Sequence, residues 1–108
     1  MSSYYVSEDL PRFAEVAKAS PQLFEAFNKW YGDTMAPGAL DAKTKKLIAF
    51  AVAHAIQCAY CIDAYAASGA KDGITPEQMT EAVHVASAIR AGSSLIHNVQ
   101  AINTWNRD

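Results

Sequence analysis

Four side chains capable of chemistry fall near the middle of the chain: His54, Cys58, Cys61 and Tyr65. Residues three and four apart share a helix face, so spacings of four, three and four would align a base, two thiols and a phenol along one stripe. Cysteines at i and i+3 on a helix sit within the ~4.4 to 6.8 Å Cα separation that a disulfide needs, so the pair can cycle between dithiol and disulfide without unfolding. If a helix begins at or just before Cys58, its unpaired N–H groups and positive dipole end stabilise a thiolate there. That lowers a thiol pKa from about 8.5 and favours attack on a peroxide or a disulfide. The chain has no other cysteine. In a reducing compartment such a CxxC is more often redox-active or metal-binding than a structural staple.

Two blander readings compete. The cysteines can be small buried hydrophobes that happen to fall three apart. A structural zinc takes four N or S ligands, and only Cys58, Cys61 and His54 are local, with His84 and His97 far along the chain. No metal and no cofactor are therefore expected. His84 and His97 read as solvated or interface residues, and Lys45 and Lys46 as a solvated helix turn. Phe24, Phe27, Trp30 and Tyr31 read as core or subunit interface.

The elements that must carry these residues are helices. Pro11, Pro21, Pro37-Gly38, Gly69, Gly73 and Pro76 separate segments with helical spacing of apolar residues, and none alternates like a strand. The expected fold is all-α, a single domain over residues 1–108. A short first helix would span Asp9 to Ala19 with Phe13, Val16 and Ala17 inward. Ser20 would cap a second with Pro21 at its first position, and Pro37-Gly38 would end it. Asp41 would cap a third that carries Leu47 to Ile56. The CxxC either continues this helix or opens a new one after a break near Gln57, and Gly69 to Gly73 closes the segment. Thr75-Pro76-Glu77-Gln78 reads as a capping box that starts the last helix, which runs to about Trp105. Its core stripe would be Met79, Ala82, Val83, Ala86, Ile89, Leu95, Ile96, Val99 and Ile102, with Gly92-Ser93-Ser94 a kink or break.

At 51% hydrophobic residues, the 108-residue chain has ample surface to bury, which excludes a disordered segment. A net charge of −2 gives no footprint for nucleic acid or an anionic membrane surface. The apolar run Leu47 to Ala67 is interrupted by His54, Gln57 and Asp63, so it reads as core and not as a membrane span. Met1 to Asp9 lacks the basic start and apolar core of a secretory signal, which makes the cytoplasm the expected location. The third helix is apolar almost all round and needs more neighbours than five helices can supply, so a homo-oligomer is expected.

The run Leu40-Asp41-Ala42-Lys43-Thr44-Lys45-Lys46-Leu47-Ile48-Ala49, then Ala51-Val52-Ala53 and Cys58-Ala59-Tyr60-Cys61-Ile62, resembles the alkylhydroperoxidase D-like branch of the carboxymuconolactone decarboxylase superfamily. Gly69-Ala70 and Glu81-Ala82-Val83 are also similar, and the likeness covers roughly Ala39 to Asn103. It implies a helical alkylhydroperoxidase D-like domain assembled as trimers or hexamers, with the CxxC reducing peroxides. In that family a glutamate twelve residues before the first cysteine and a histidine four after the second relay protons. Those positions are Lys46 and Tyr65 here, and neither side chain is a neutral-pH base at its ordinary pKa near 10. His54 is then the substitute base, and Tyr65 a hydrogen-bond donor to a thiolate or a leaving oxygen. Ser3-Tyr4-Tyr5, Ala53-His54-Ala55 and His84-Val85-Ala86 to His97-Asn98-Val99 look most similar to a peroxidase-like subgroup associated with arsenosugar biosynthesis.

The resulting expectation is a thiol peroxidase in which one cysteine attacks a peroxide to give a sulfenic acid and the other resolves it as a disulfide. The resemblance favours Cys61 as attacker, whereas the dipole argument favours Cys58. A dithiol or thioredoxin-like reductant would complete the cycle. The rival is a dithiol protein that captures trivalent arsenic or a metal without turnover. A decarboxylase or other lactone-acting enzyme is the third reading, against which the cysteine pair speaks.

Overall fold

In a computed structural model that describes residues 5–107, a 3-10 segment, Ser7–Lys18, precedes four α-helices: α1 Pro21–Met35, α2 Ala42–Ala55, α3 Ala59–Lys71 and α4 Pro76–Trp105. No strand occurs among the described residues. The expected all-α class holds, and no helix there is long and apolar enough to cross a membrane. Ser3 and Tyr4, part of the subgroup likeness, lie outside the described residues.

Local chemistry sets the helix ends. Asp41 accepts from the Thr44 N–H at 2.7 Å to start α2. At the start of α4, Thr75 accepts from the Gln78 N–H at 3.1 Å while the Gln78 side chain accepts from the Thr75 N–H at 3.0 Å, a complete capping box. Ser20 precedes Pro21 as expected, but its side chain makes no cap bond.

Between α2 and α3 the chain breaks instead of continuing. The Cys58 N–H donates to the Ala53 carbonyl at 2.9 Å and the Gln57 N–H to the His54 carbonyl at 3.2 Å, the two bonds of a Schellman ending. That ending needs a left-handed residue between them, and Gln57 supplies it at φ +58°. The same ending closes α3, where Ile74 N–H reaches the Gly69 carbonyl and Gly73 sits at φ +79°.

Cross-ties hold the helices in place. Lys45 donates to the carbonyls of Thr34 and Ala36 at 2.8 and 2.6 Å, satisfying the C-terminal end of α1. Lys46 pairs with Asp72 beyond the end of α3. The two lysines are thus structural ties and not the solvated turn expected from their position. Arg90 of α4 donates to the Ala55 carbonyl at the last turn of α2. The core lies where α2 meets α3 and α4, around Phe50, Ala53, Ile74 and Ala86. Gly69 is buried against Ile74 and Met79, where a Cβ would strike the Met79 methyl.

Three expectations are corrected. The first helix is a 3-10 segment running from Ser7 to Lys18, and Phe13 and Val16 are exposed on it. Gly92-Ser93-Ser94 neither kinks into a break nor ends the helix, because α4 continues unbroken for 30 residues. The stripe meant for the core is buried only around Ala86. Every residue from Ser87 to Gln100 is exposed, Ile89, Leu95, Ile96 and Val99 among them.

Candidate functional site

Cys58 is the N-cap of α3, and its Sγ accepts the Cys61 N–H at 3.2 Å. The two cysteines are joined as a disulfide with their Cα atoms 5.2 Å apart, inside the range the spacing predicts. Both are half-buried. The helix N-terminus that the dipole argument required is therefore at Cys58, and a thiolate formed there meets a backbone N–H and the positive end of α3.

The disulfide opens onto a cavity of about 770 Å³. Cys58, Tyr60, Cys61, Ala64 and Tyr65 of α3 form one wall, Phe27 and Tyr31 of α1 a second, and Leu10, Phe13 and Val16 of the 3-10 segment the third. Aromatic edges knit the last two together. Phe13 meets the Phe24 and Phe27 rings edge-on at 5.3 and 6.1 Å, and Phe27 lies 5.5 Å from Tyr31. Arg12, at the same wall, is engaged by Asp9 and Glu15 at 3.2 and 2.7 Å. The chamber is thus apolar around a polar pair of sulfurs and a few phenols.

Tyr65 projects one turn after Cys61, and its hydroxyl is hydrogen-bonded to that of Tyr31. Burial raises the Tyr65 pKa far above the ordinary tyrosine value, and the bond to Tyr31 adds to the effect. Tyr65 therefore stays protonated at any physiological pH and can act only as a donor or as one link of a proton path.

The stripe of four chemical residues is divided. Cys58, Cys61 and Tyr65 share α3 and the cavity, whereas the turn at Gln57 leaves His54 on α2. The His54 Nδ1 lies 2.8 Å from the Phe50 carbonyl and its ring packs edge-on against the Phe50 ring at 4.6 Å. His54 is not part of the cavity wall. Lys46, at the relay glutamate position, is also outside it and bound to Asp72. His84 is exposed, as is His97, whose Nδ1 lies 2.5 Å from the Ser93 carbonyl. Among the described residues, no group of three His, Cys, Asp or Glu side chains is placed to hold a metal.

Two parts of the site have no sequence signal. Tyr31 meets Tyr65 across a separation of 34 residues. Asp63, two residues after Cys61, accepts from Tyr5 and Ser7 at 2.5 Å each, while the Tyr5 ring stands edge-on to Tyr60 at 4.6 Å. These contacts moor the 3-10 segment to the turn that bears the disulfide. The hydroxyls of Ser7 and Tyr5 hold the Asp63 carboxyl below its usual range, and the same bond to Asp63 raises the Tyr5 phenol.

Residues 21–103 match the carboxymuconolactone decarboxylase family, and the chain belongs to that family. It is 40% identical over 88 residues to "Uncharacterized protein 4 in cox locus" of Paracoccus denitrificans, a match covering 82% of this chain and 79% of that one. An uncharacterized protein of Haemophilus influenzae is 39% identical over 54 residues, half of this chain and 48% of its own.

Proposed function

We propose that the protein is a cytoplasmic thiol peroxidase that cycles between the Cys58, Cys61 dithiol and the disulfide. The observation that carries this reading is the pair itself, half-buried at the N-terminus of α3 and open to a cavity that a small organic molecule can enter. The cap favours Cys58 as the attacking thiolate. Its sulfur takes the terminal oxygen of a hydroperoxide, the O–O bond breaks, and the products are a Cys58 sulfenic acid and an alkoxide or hydroxide. That leaving oxygen is far more basic than a phenolate, so Tyr65 can protonate it. The Cys61 thiol then returns a proton to the phenolate left by that step and attacks the Cys58 sulfur, expelling hydroxide, which solvent protonates to water. A dithiol or thioredoxin-like partner reduces the disulfide.

Self-assembly belongs to the same reading. The trimer or hexamer expected from the family likeness is supported by the apolar residues left uncovered on α1, α2 and α4.

Stopped-flow oxidation of the reduced protein by hydrogen peroxide and by an organic hydroperoxide tests the activity, with mass analysis of Cys58 and Cys61. One intramolecular disulfide per chain, formed at least a hundredfold faster than a free thiol oxidises and reversed by a dithiol, is the expected outcome. Oxidation at the free-thiol rate would reject the peroxidase and direct attention to arsenite, titrated against the reduced protein. Arsenite is the probe because Cys58 and Cys61 would chelate a thiophilic ligand without help from the missing glutamate and histidine.

A further inference from the structure

Tyr31 is not one of the residues that the CxxC motif or its helical register singles out. Its hydroxyl nevertheless bonds that of Tyr65, and both phenols line the cavity onto which Cys58 and Cys61 open. The two rings come from different helices, Tyr31 from α1 and Tyr65 from α3. They also differ in their access to water. Tyr31 is 41% exposed, whereas Tyr65 is half-buried and held protonated by that burial.

We infer that Tyr31 and Tyr65 form a two-phenol proton wire from solvent to the sulfurs, in which Tyr31 is a positioning and supply residue acting through Tyr65. The inference rests on the peroxidase reading and specifies how its proton moves. When the O–O bond breaks, the electron pair of that bond leaves on the departing oxygen. Tyr65 gives that oxygen its proton and takes the proton of Tyr31 in the same motion. The negative charge then resides on Tyr31, the phenol water can solvate, because a charge on the half-buried Tyr65 would go largely unsolvated. Running in reverse, the wire accepts the proton of the Cys61 thiol, whose ordinary pKa of about 8.5 lies below that of a phenol near 10, and both tyrosines return to the neutral state. Each turnover leaves the wire unchanged.

A phenol wire carries a signature that an imidazole relay lacks. Histidine titrates near 6.5 and puts a limb in the neutral range. A phenol wire puts none there, so across the neutral range the oxidation rate should rise only with thiolate formation.

The test compares wild type, Tyr31→Phe, Tyr65→Phe and the double variant, each of which keeps its ring in the wall. Two half-reactions are followed from pH 5 to 10: oxidation of the dithiol by an organic hydroperoxide and opening of the disulfide by dithiothreitol. The leaving group in the second is a thiolate that needs no phenol proton, so damage to packing would move both rates and loss of the wire only the first. Expected for Tyr65→Phe is a fall of about a hundredfold in peroxide oxidation, and for Tyr31→Phe about tenfold. The double variant should be no slower than Tyr65→Phe, since the two act as a unit. Disulfide opening should stay within twofold throughout. A Tyr31→Phe variant that oxidises as fast as an active wild type would overturn the wire and leave the peroxidase standing. Equal losses in both half-reactions would reduce Tyr31 to a packing residue. A wild type inert to peroxide would remove wire and peroxidase together.

Discussion

At residue scale the site differs from the relay its family likeness implies at two positions, and the two differences have different consequences. Lys46 is tied to Asp72 and is outside the cavity, so it contributes to holding α2 and α3 together and not to proton transfer. Tyr65 is inside the cavity and stays protonated, so it can replace the acid part of an imidazole's work but not its neutral-pH base. His54 was the other candidate base, and its environment argues against it. Its Nδ1 contacts a backbone carbonyl and its ring lies against Phe50, both features of a packing residue. His54→Ala should leave the hydroperoxide oxidation rate within twofold of wild type in the same stopped-flow experiment. It should lower the unfolding free energy in urea by about 1 kcal/mol, because a half-buried ring and a local hydrogen bond are lost. The closeness of Cys58, Cys61 and Tyr65 was legible from spacing because Cys58 caps the helix that carries the other two. His54 was misplaced by the same rule, which assumes an unbroken helix.

At the scale of elements, the break that separates His54 from the cysteines depends on one backbone conformation. Gln57 takes a left-handed φ where such endings usually have glycine, and a glutamine leaves no mark of this in the sequence beyond a plausible break. A Cβ in that conformation costs about 1 to 2 kcal/mol, while glycine costs roughly 0.5 to 1 kcal/mol in unfolded-state entropy. Gln57→Gly should therefore raise stability by about 0.5 kcal/mol, read as a higher urea midpoint at unchanged slope, with the CxxC still opening α3. The caps at Asp41 and Thr75 were legible because they depend on contacts within four residues.

The 3-10 segment was not legible in its role, since its moorings lie far along the chain: Ser7 meets Asp63 across 56 residues. Those moorings titrate, and the signs differ. Asp63 is held below its ordinary value, so its contribution is complete above about pH 4 and is lost as pH falls through its lowered folded value. Tyr5 is raised, so its contribution is complete below about pH 10 and is lost as pH rises through its folded value. The segment should stay moored between those limits. Hydrogen exchange of residues 7–18 should accelerate outside them, and Asp63→Ala should give the fast exchange at pH 7 while leaving α2 and α4 protected.

At the scale of the whole molecule, a single chain leaves many of its large apolar side chains uncovered. Its radius of gyration is 18.3 Å, against about 13 Å for a self-sufficient domain of this length. Its accessible surface is 8360 Å², whereas a monomer of this mass exposes about 5,900 Å². The excess is roughly three times the ~800 Å² that each partner contributes to a standard interface. Exposed apolar side chains lie on α1 and α2 and along α4 beyond Ala86. Val85, Ala88, Gly92, Leu95, Val99 and Ile102 recur at alternating steps of three and four along that helix, with Ile89 and Ile96 beside them. Such spacing suits packing against another helix and supports the assembly proposed above. The expected core stripe beyond Ala86, with Ile89, Leu95, Ile96, Val99 and Ile102, is exposed in the single chain, because periodicity reports that a face seeks cover and not what provides it. Ile96 is 65% exposed in the single chain, which makes its substitution diagnostic. If α4 is the assembly element of the proposed trimer or hexamer, Ile96→Asp should leave a monomer at micromolar concentration where the wild type sediments as that assembly. It should also lower helicity and the thermal midpoint, since the outer half of α4 has no other support. A variant chain that stays assembled and equally helical would place the interface elsewhere, on the apolar faces of α1 or α2.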